Sequence, residues 1–308
     1  SKMQRLKMMF LVAFGQKKMF KKPLPAILHL LVYLGFCIIN VEMLEIVIDG
    51  IFGTHRVFSS LGVFYNFLIY CFEVLAFSVL FSCLIFLIRR NMLRIPRLQG
   101  SELKQWPKTD ATLILVTEIL LMSAFLLMNA ADLKLQQLNI YPYISAGLFP
   151  ISKSIINYLP DNSSALIIIE RTAWWFHIIG VLLFLNYLPL SKHLHILLAF
   201  PNTYFSKLDP AGKFDNMESV TKEVKAMLDP SLPQSTDEVA RFGVKDVMDL
   251  NWKNLLDAYT CTECGRCTAA CPANITGKLL SPRKIMMDTR DRLEEIGSRR
   301  NNNPEHQE

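Results

Sequence analysis

Four apolar runs, each as long as a bilayer is thick, decide most of what this chain can fold into. They cover residues 24–48, 61–88, 111–130 and 165–190. A hydrocarbon core about 30 Å thick takes about 20 residues of helix. Backbone polar groups in lipid must be satisfied within the segment, so runs of this length predict spanning helices. One water-soluble globule is excluded, and so is a wholly disordered chain. Composition matters here through its division. Residues 1–200 carry 18 Lys/Arg and 10 Asp/Glu, whereas residues 201–308 carry 15 and 17. A sparsely charged basic part thus precedes an ordinary soluble one. The net charge of +6 is no nucleic-acid signature, because the basic excess flanks the apolar runs, and no nucleic-acid partner is expected.

The reading that follows is an all-α membrane protein: a four-helix transmembrane bundle leading into a cytoplasmic α-helical ferredoxin-type domain. Residues 1–22 form an interfacial segment, because the run 8–14 is too short to span and Lys2, Arg5, Lys7, Lys17, Lys18, Lys21 and Lys22 surround it. Residues 23–200 form the membrane domain and 201–308 the soluble domain, with 301–304 reading as a linker. Basic residues set the sidedness. Residues 1–22 hold seven, residues 89–110 hold six, residues 49–60 only Arg56, and residues 131–164 only Lys134 and Lys153. The N-terminus, the 89–110 loop and the C-terminal domain are therefore expected in the cytoplasm.

Ionisable side chains inside spans are costly and invite a functional reading. Glu42, Glu45 and Asp49 share one helix face near the outer end of the first run, Glu73 and Glu118 lie in the second and third, and Glu170 and Arg171 open the fourth. Interhelical pairing is the plain reading of each. A proton relay or a quinone site is the functional reading, and the trio on one face favours it. His29 lies just inside the first run, His177 near the middle of the fourth, and His193 and His195 at its far end, where residues 196–200 suggest a continuing helix. Two imidazoles facing each other at one depth suit bis-His haem ligation; hydrogen bonding is the plain alternative. His55 sits in the outer turn and reads as a loop or quinone-site residue.

The most specific signal is Cys261-Thr-Glu-Cys264-Gly-Arg-Cys267-Thr-Ala-Ala-Cys271-Pro272, the C-x2-C-x2-C-x3-C-P run of [4Fe–4S] proteins. Thiolates are the soft ligands such clusters take. A zinc ribbon needs two separated pairs. In two-cluster ferredoxins the fourth Cys of this run serves the other cube. Cys261, Cys264 and Cys267 would then hold one cube, and Cys271 would belong to a second whose remaining ligands lie elsewhere. Cys37, Cys71 and Cys83 fall in the apolar runs. Helices are expected over 237–248, 251–258 and 282–296, with Trp252 packing near the cluster or, on the plainer reading, in the core.

The cluster run, the following Leu280-Ser281-Pro282-Arg283-Lys284 and the preceding spans resemble the membrane-bound iron–sulfur oxidoreductases related to heterodisulfide reductase. The type most similar is the quinone reductase partner of electron transfer flavoproteins, with a membrane part like the gamma subunit (cytochrome b) of respiratory nitrate reductase. The resemblance implies a fifth span before Ser1, and a second cluster motif with cysteine-rich domains after Glu308. It implies b-type haem on two helices, with an 18-residue separation on the last one that His177 and His195 reproduce. His29 matches one position of the other helix, while Ile39 stands where its second His would be. One haem held by His29 with His195, or with His193, is thereby implied, whereas a second using His177 lacks its partner.

The resemblance further implies electrons passing from a cytoplasmic flavoprotein through one or two [4Fe–4S] clusters and haem to a quinone in a bacterial inner membrane. Other redox subunits are possible partners. Two other readings stand beside this one: a membrane anchor that wires a larger redox complex without its own quinone site, and a heterodisulfide reductase-like thiol–disulfide enzyme.

Overall fold

The computed structural model describes residues 1–93, 95–210, 212–213, 216–229, 231 and 243–302; the side chains of 219 and 302 are also set aside. The fold is all-α, with no strand among the described residues. In chain order the helices are α1 (Lys2–Met9), α2 (Pro23–Phe52), α3 (Val63–Asn91), α4 (Trp106–Gln137), α5 (Ser152–Ile155), α6 (Ser163–Tyr187), α7 (His195–Tyr204), α8 (Glu218–Leu228), α9 (Trp252–Tyr259), α10 (Arg266–Ala269), α11 (Pro272–Ile275) and α12 (Pro282–Asn302). They form two compact units, Lys17–Leu194 and Ser1–Gln16 with His195–Glu308.

The first unit is the membrane bundle. Helices α2, α3, α4 and α6 (extended by a turn to Leu190) are long and apolar enough to span a bilayer. Proline opens α2, where its missing N–H costs nothing. The Asn162 side chain accepts the N–H groups of Ser164 and Ala165 at the start of α6. The core joins Ile39, Ile69, Phe72, Leu121 and Phe125, while Leu44, Phe67, Phe77 and Leu183 stay exposed as lipid-facing residues. Gly35 lets α2 approach α3 and Gly180 lets α6 approach α4. A Cβ at either would meet Val79 or Leu121 at 2.3 and 2.6 Å.

The connection from α4 to α6 does not lie flat on the bundle end. Phe149, Ile151 and Ile155 join the core. Glu73, fully buried on α3, accepts the N–H groups of Ile151 and Ser152 at 2.9 and 3.0 Å and also contacts the Ser152 hydroxyl. The plain reading of Glu73 thus holds: it seats α5. Replacing Glu73 with Ala is expected to destabilise the bundle by about 1–3 kcal/mol, because two buried N–H groups lose their acceptor. Glu73→Gln, which keeps an acceptor, should cost less. Thermal unfolding in detergent checks the order.

The helix expected to run past His193 and His195 breaks. After α6 come a 3-10 turn at Leu188–Leu190 and an extended Ser191. Pro189 supplies no N–H and its ring crowds the carbonyl one turn back. Asp110 then holds the break, accepting from Tyr187 Oη at 2.6 Å, Ser191 Oγ at 2.7 Å and the Lys192 N–H at 3.1 Å.

In the second unit, α1 runs into a π-helical turn at Phe10–Phe14. It packs on α7: Arg5 donates to the carbonyls of Tyr204 and Ser206, and Phe14 lies 4.7 Å from Phe200. Helix α9 (Trp252–Tyr259) matches the expected 251–258 with Asn251 as its N-cap, and α12 covers and outruns the expected 282–296. Trp252 is not core: it is 59% exposed and packs edge-on against Phe205. Of the helix expected at 237–248, residues 237–242 lie outside the described residues, and 243–248 are not α-helical: Gly243 takes a left-handed φ of 82° and a 3-10 turn follows at Val247–Asp249. Of the linker expected at 301–304, residues 301–302 instead end α12, and 303–304 lie outside the described residues.

Asp246 caps that turn and binds Arg292 at 2.7 Å. The Arg292 guanidinium and the Val247 N–H hold its carboxyl down at about 2. An unfolded Asp titrates near 3.9. The contribution is therefore complete above about pH 4 and lost as pH falls toward 2. The difference in denaturant midpoint between wild type and Asp246→Asn should be present at pH 6 and fade across that window.

Candidate functional site

The cysteine loop is built from two left-handed residues and a set of arginines. Cys261 follows α9, Cys264 sits in the loop, Cys267 lies in α10, and Cys271 caps α11. The loop reverses at Glu263 (φ 56°) and Gly265 (φ 71°). Glycine takes that conformation freely, whereas Glu263 does not. Its carboxylate, 4% exposed, is held by Arg290 of α12 at 3.0 Å, which fixes the strained turn. Sequence reading missed this pair; an acid inside the ligand spacing and an Arg on the expected helix were its only traces.

The four thiols are free. Burial raises the Cys264 thiol, but the Arg266 backbone N–H and its guanidinium, whose Nε lies 3.2 Å from Sγ, together hold it below the usual value. Burial pushes Cys261 up, and the neighbouring Cys264 and Cys267 thiols add to the rise. Among the described residues no three His, Cys, Asp or Glu groups close on a single metal point. A cube distributes its thiolates over separate iron corners, so it asks for a wider ring than a lone ion. Soft donors in this spacing, beside the Arg266 and Arg290 guanidiniums, fit a [4Fe–4S] cluster.

A second constellation lies inside the membrane unit, where α2, α3, α4 and α6 meet the 53–56 turn. Asp49 shapes the turn by accepting from Thr54 Oγ1 at 2.6 Å and from the N–H groups of Arg56 and Val57 at 2.7 and 3.1 Å. This carries Arg56 inward, where it is 6% exposed. Its Nη2 lies 2.6 Å from Asp132 Oδ2, and its guanidinium also donates to Asn129 and Tyr65 at 3.0 and 3.1 Å. Glu42 stands 3.7 Å away, and the Phe149 ring centre 4.8 Å from Cζ. Burial alone would lower the Arg56 pKa, but Asp132 and its neighbours hold it well above the usual value.

Glu45 accepts from Tyr65 Oη and the Phe58 N–H, both at 2.9 Å. His55 Nε2 lies 3.2 Å from Asp132 Oδ1, and its ring packs edge-on against Tyr143. Tyr143 donates to Glu170 at 3.0 Å, and Arg171 pairs with Glu170 at 3.2 Å. The expected trio of Glu42, Glu45 and Asp49 is thus brought together, with His55 and Glu170 beside it. Arg56, Asp132, Asn129, Tyr65 and Tyr143 are what sequence reading missed. Among the described residues, Glu42 Oε2, His55 Nδ1 and Asn129 Nδ2 are buried without a hydrogen-bond partner.

The histidines do not share one element. His29 is in α2, and His193 is in a 3-10 turn with its ring 5.3 Å from Phe184. His195 is the first residue of α7, in the other unit. His177 is 2% exposed, with Nδ1 3.0 Å from the Leu121 carbonyl and its ring 5.7 Å from Phe125. Held so, His177 shows the hydrogen bonding that is the plain alternative to ligation.

These features define a class: a four-span helical membrane protein carrying a ferredoxin-type iron–sulfur domain. Residues 253–305 match the 4Fe–4S dicluster domain family. The chain is 29% identical, over 96% of its length and 38% of the relative's, to a probable iron-sulfur-binding oxidoreductase, FadF, of Bacillus subtilis. It is 26% identical, over 91% of its length and 36% of the relative's, to an EtfAB:quinone oxidoreductase of Syntrophomonas wolfei. Over 52 residues it is 42% identical to a probable membrane-anchored ferredoxin of Chromohalobacter salexigens, covering 17% of this chain and 8% of that one. No solved structure matches. The resemblance read from the cluster run is borne out: the chain fits the iron–sulfur oxidoreductases of the electron transfer flavoprotein–quinone type. It spans under two fifths of the length of the two long relatives.

Proposed function

We propose that this chain carries electrons from a cytoplasmic flavoprotein through [4Fe–4S] clusters to a membrane quinone. The observation that carries the reading is the thiol loop with its arginines on a chain whose described residues also hold four helices long and apolar enough to cross a membrane. The name of the Syntrophomonas relative supports both the flavoprotein donor and the quinone acceptor. Cys261, Cys264 and Cys267 would hold one cube and Cys271 would serve a second, in keeping with a dicluster match over a single run. The dense basic charge at the α2 start and the α3–α4 loop supports placing the cluster domain on the cytoplasmic side of a bacterial inner membrane. The proposed haem would be held by His29 with His195 or His193, and His177 offers a further donor nitrogen. Bound haem supplies one-electron relay between clusters and quinone. Glu42, Glu45 and Asp49 belong to the proposed proton relay or quinone site.

The test uses the full chain, purified in detergent and supplied with reduced flavoprotein. Expected are a [4Fe–4S] EPR signal, a b-type haem absorption band and reduction of added quinone. Quinone reduction that is absent while clusters still reduce supports the wiring-anchor reading instead, and disulfide reduction supports the thiol–disulfide one. No cluster signal after reconstitution overturns the whole assignment.

A further inference from the structure

Two spaces in the membrane unit meet at Arg171. The first is a polar cavity of about 50 Å³ walled by Glu42, His55, Arg56, Asp132, Glu170 and Trp174, with Arg171 at its edge. The second is an apolar groove of about 500 Å³ along α6, running from Arg171 past Trp175, Phe176, Ile179 and Leu183.

Their sizes and linings assign them different occupants. At roughly 10–15 Å³ per water, the polar cavity holds about four waters and is too small for a quinone ring. Glu42 is 2% exposed and turns an unpartnered Oε2 into this unit's buried polar cluster, where His55 Nδ1 is likewise unpartnered. A bridging water needs such partners. Five carboxyls (Glu42, Glu45, Asp49, Asp132 and Glu170) line this cavity with only two guanidiniums, Arg56 and Arg171, so acids outnumber cations there. The groove is the reverse: apolar over its length, with a guanidinium half exposed at one end. An amphipathic occupant with a hydrogen-bond-accepting head and a long apolar tail fits it, and a head that consumes protons explains the adjoining polar cavity.

We propose that a prenylated quinone lies in the α6 groove with its ring at Arg171, and that its protons arrive through the water-sized cavity from Glu42 and His55. This deepens the quinone-reductase reading and rests on it. The step balances as quinone plus two electrons, delivered by the flavoprotein through the clusters, plus two protons, giving quinol. Arg171 donates to a ring carbonyl. Glu42 and His55 release protons into the cavity water and are refilled from solvent.

The experiment compares full-length protein in lipid nanodiscs, with a reduced viologen as donor and two acceptors, a long-tailed and a tail-less quinone. Ile179→Trp, at a lipid-facing position, should raise KM about tenfold for the long-tailed quinone and leave the tail-less one unmoved. Glu42→Gln should lower kcat for both by about tenfold or more, enlarge the solvent isotope effect and leave the rate of cluster reduction unchanged. A photoreactive quinone should label α6. An Ile179→Trp variant that shifts neither KM, or both equally, overturns the groove. Labelling elsewhere, or a phospholipid or helix found seated there, does the same. Glu42→Gln with unchanged kcat and isotope effect overturns the cavity's role while quinone reduction itself stands. A wild type that reduces its clusters and no quinone overturns the underlying reading together with this site.

Discussion

Replacing Cys264 with Ala is expected to remove a [4Fe–4S] cluster and with it electron transfer through the chain. Of the four thiols it is the one whose surroundings are built most plainly for the thiolate: the Arg266 N–H and guanidinium outweigh burial and hold it below its usual pKa. Losing an outer-shell partner of a metal ligand typically costs about 10–100-fold, and losing the ligand should cost more than that. Iron and labile sulfide should fall together, and the EPR signal with them. The membrane unit should survive, since its core is its own, so membrane insertion should be unchanged. Arg266→Ala should show the milder outer-shell loss. Cys37→Ala, on the exposed face of α2, should change neither iron content nor rate. A Cys264→Ala protein that keeps its iron and its rate would sink the cluster assignment.

The bundle and the ligand run were legible in the sequence because each rests on a local pattern. Apolar length alone identifies a span, and four cysteines at fixed spacing identify a cluster loop. What stayed hidden was set by pairings across the bundle. By sequence Arg56 is a loop charge, yet it is almost wholly buried, because Asp49 bends the 53–56 turn inward and Asp132 meets it from α4. The third span was expected to end at residue 130, where polar residues begin. Helix α4 runs on to Gln137 because Asp132 finds Arg56, Lys134 finds the Leu159 carbonyl and Gln136 finds Asp132. Hydropathy sees those residues as an ending; their partners make them part of the span. The break before His195 has a local signal in Pro189, but the apolar run that follows it imitates a continuing helix. Glu73 could be placed in a span from its position, whereas its service to α5, about 80 residues on in sequence, could not.

Arg56→Leu is expected to be the most damaging single change in the membrane unit. It leaves Asp132 and Glu42 facing a buried space with no cation, and it strips Tyr65 and Asn129 of a partner. Removing one member of a buried pair costs about 3–5 kcal/mol, most of it the penalty of the charge left behind. The contact with the Phe149 ring is lost as well. Arg56→Lys keeps the charge but not the fork of donors that reaches three residues at once, so it should fall between wild type and Leu. The double variant Arg56→Leu with Asp132→Leu removes the stranded charge and should recover part of the loss, a coupling that a double-mutant cycle reads directly. Thermal unfolding in detergent measures these four proteins together with the single variant Asp132→Leu, which closes the cycle. If Arg56→Leu unfolds like wild type, Arg56 is not the counter-charge of this cluster. If the double variant is no better than the single, the stranded partner is Glu42 rather than Asp132. Either result would also redraw the proton path, because the carboxyl that Arg56 neutralises is the one least free to carry a proton.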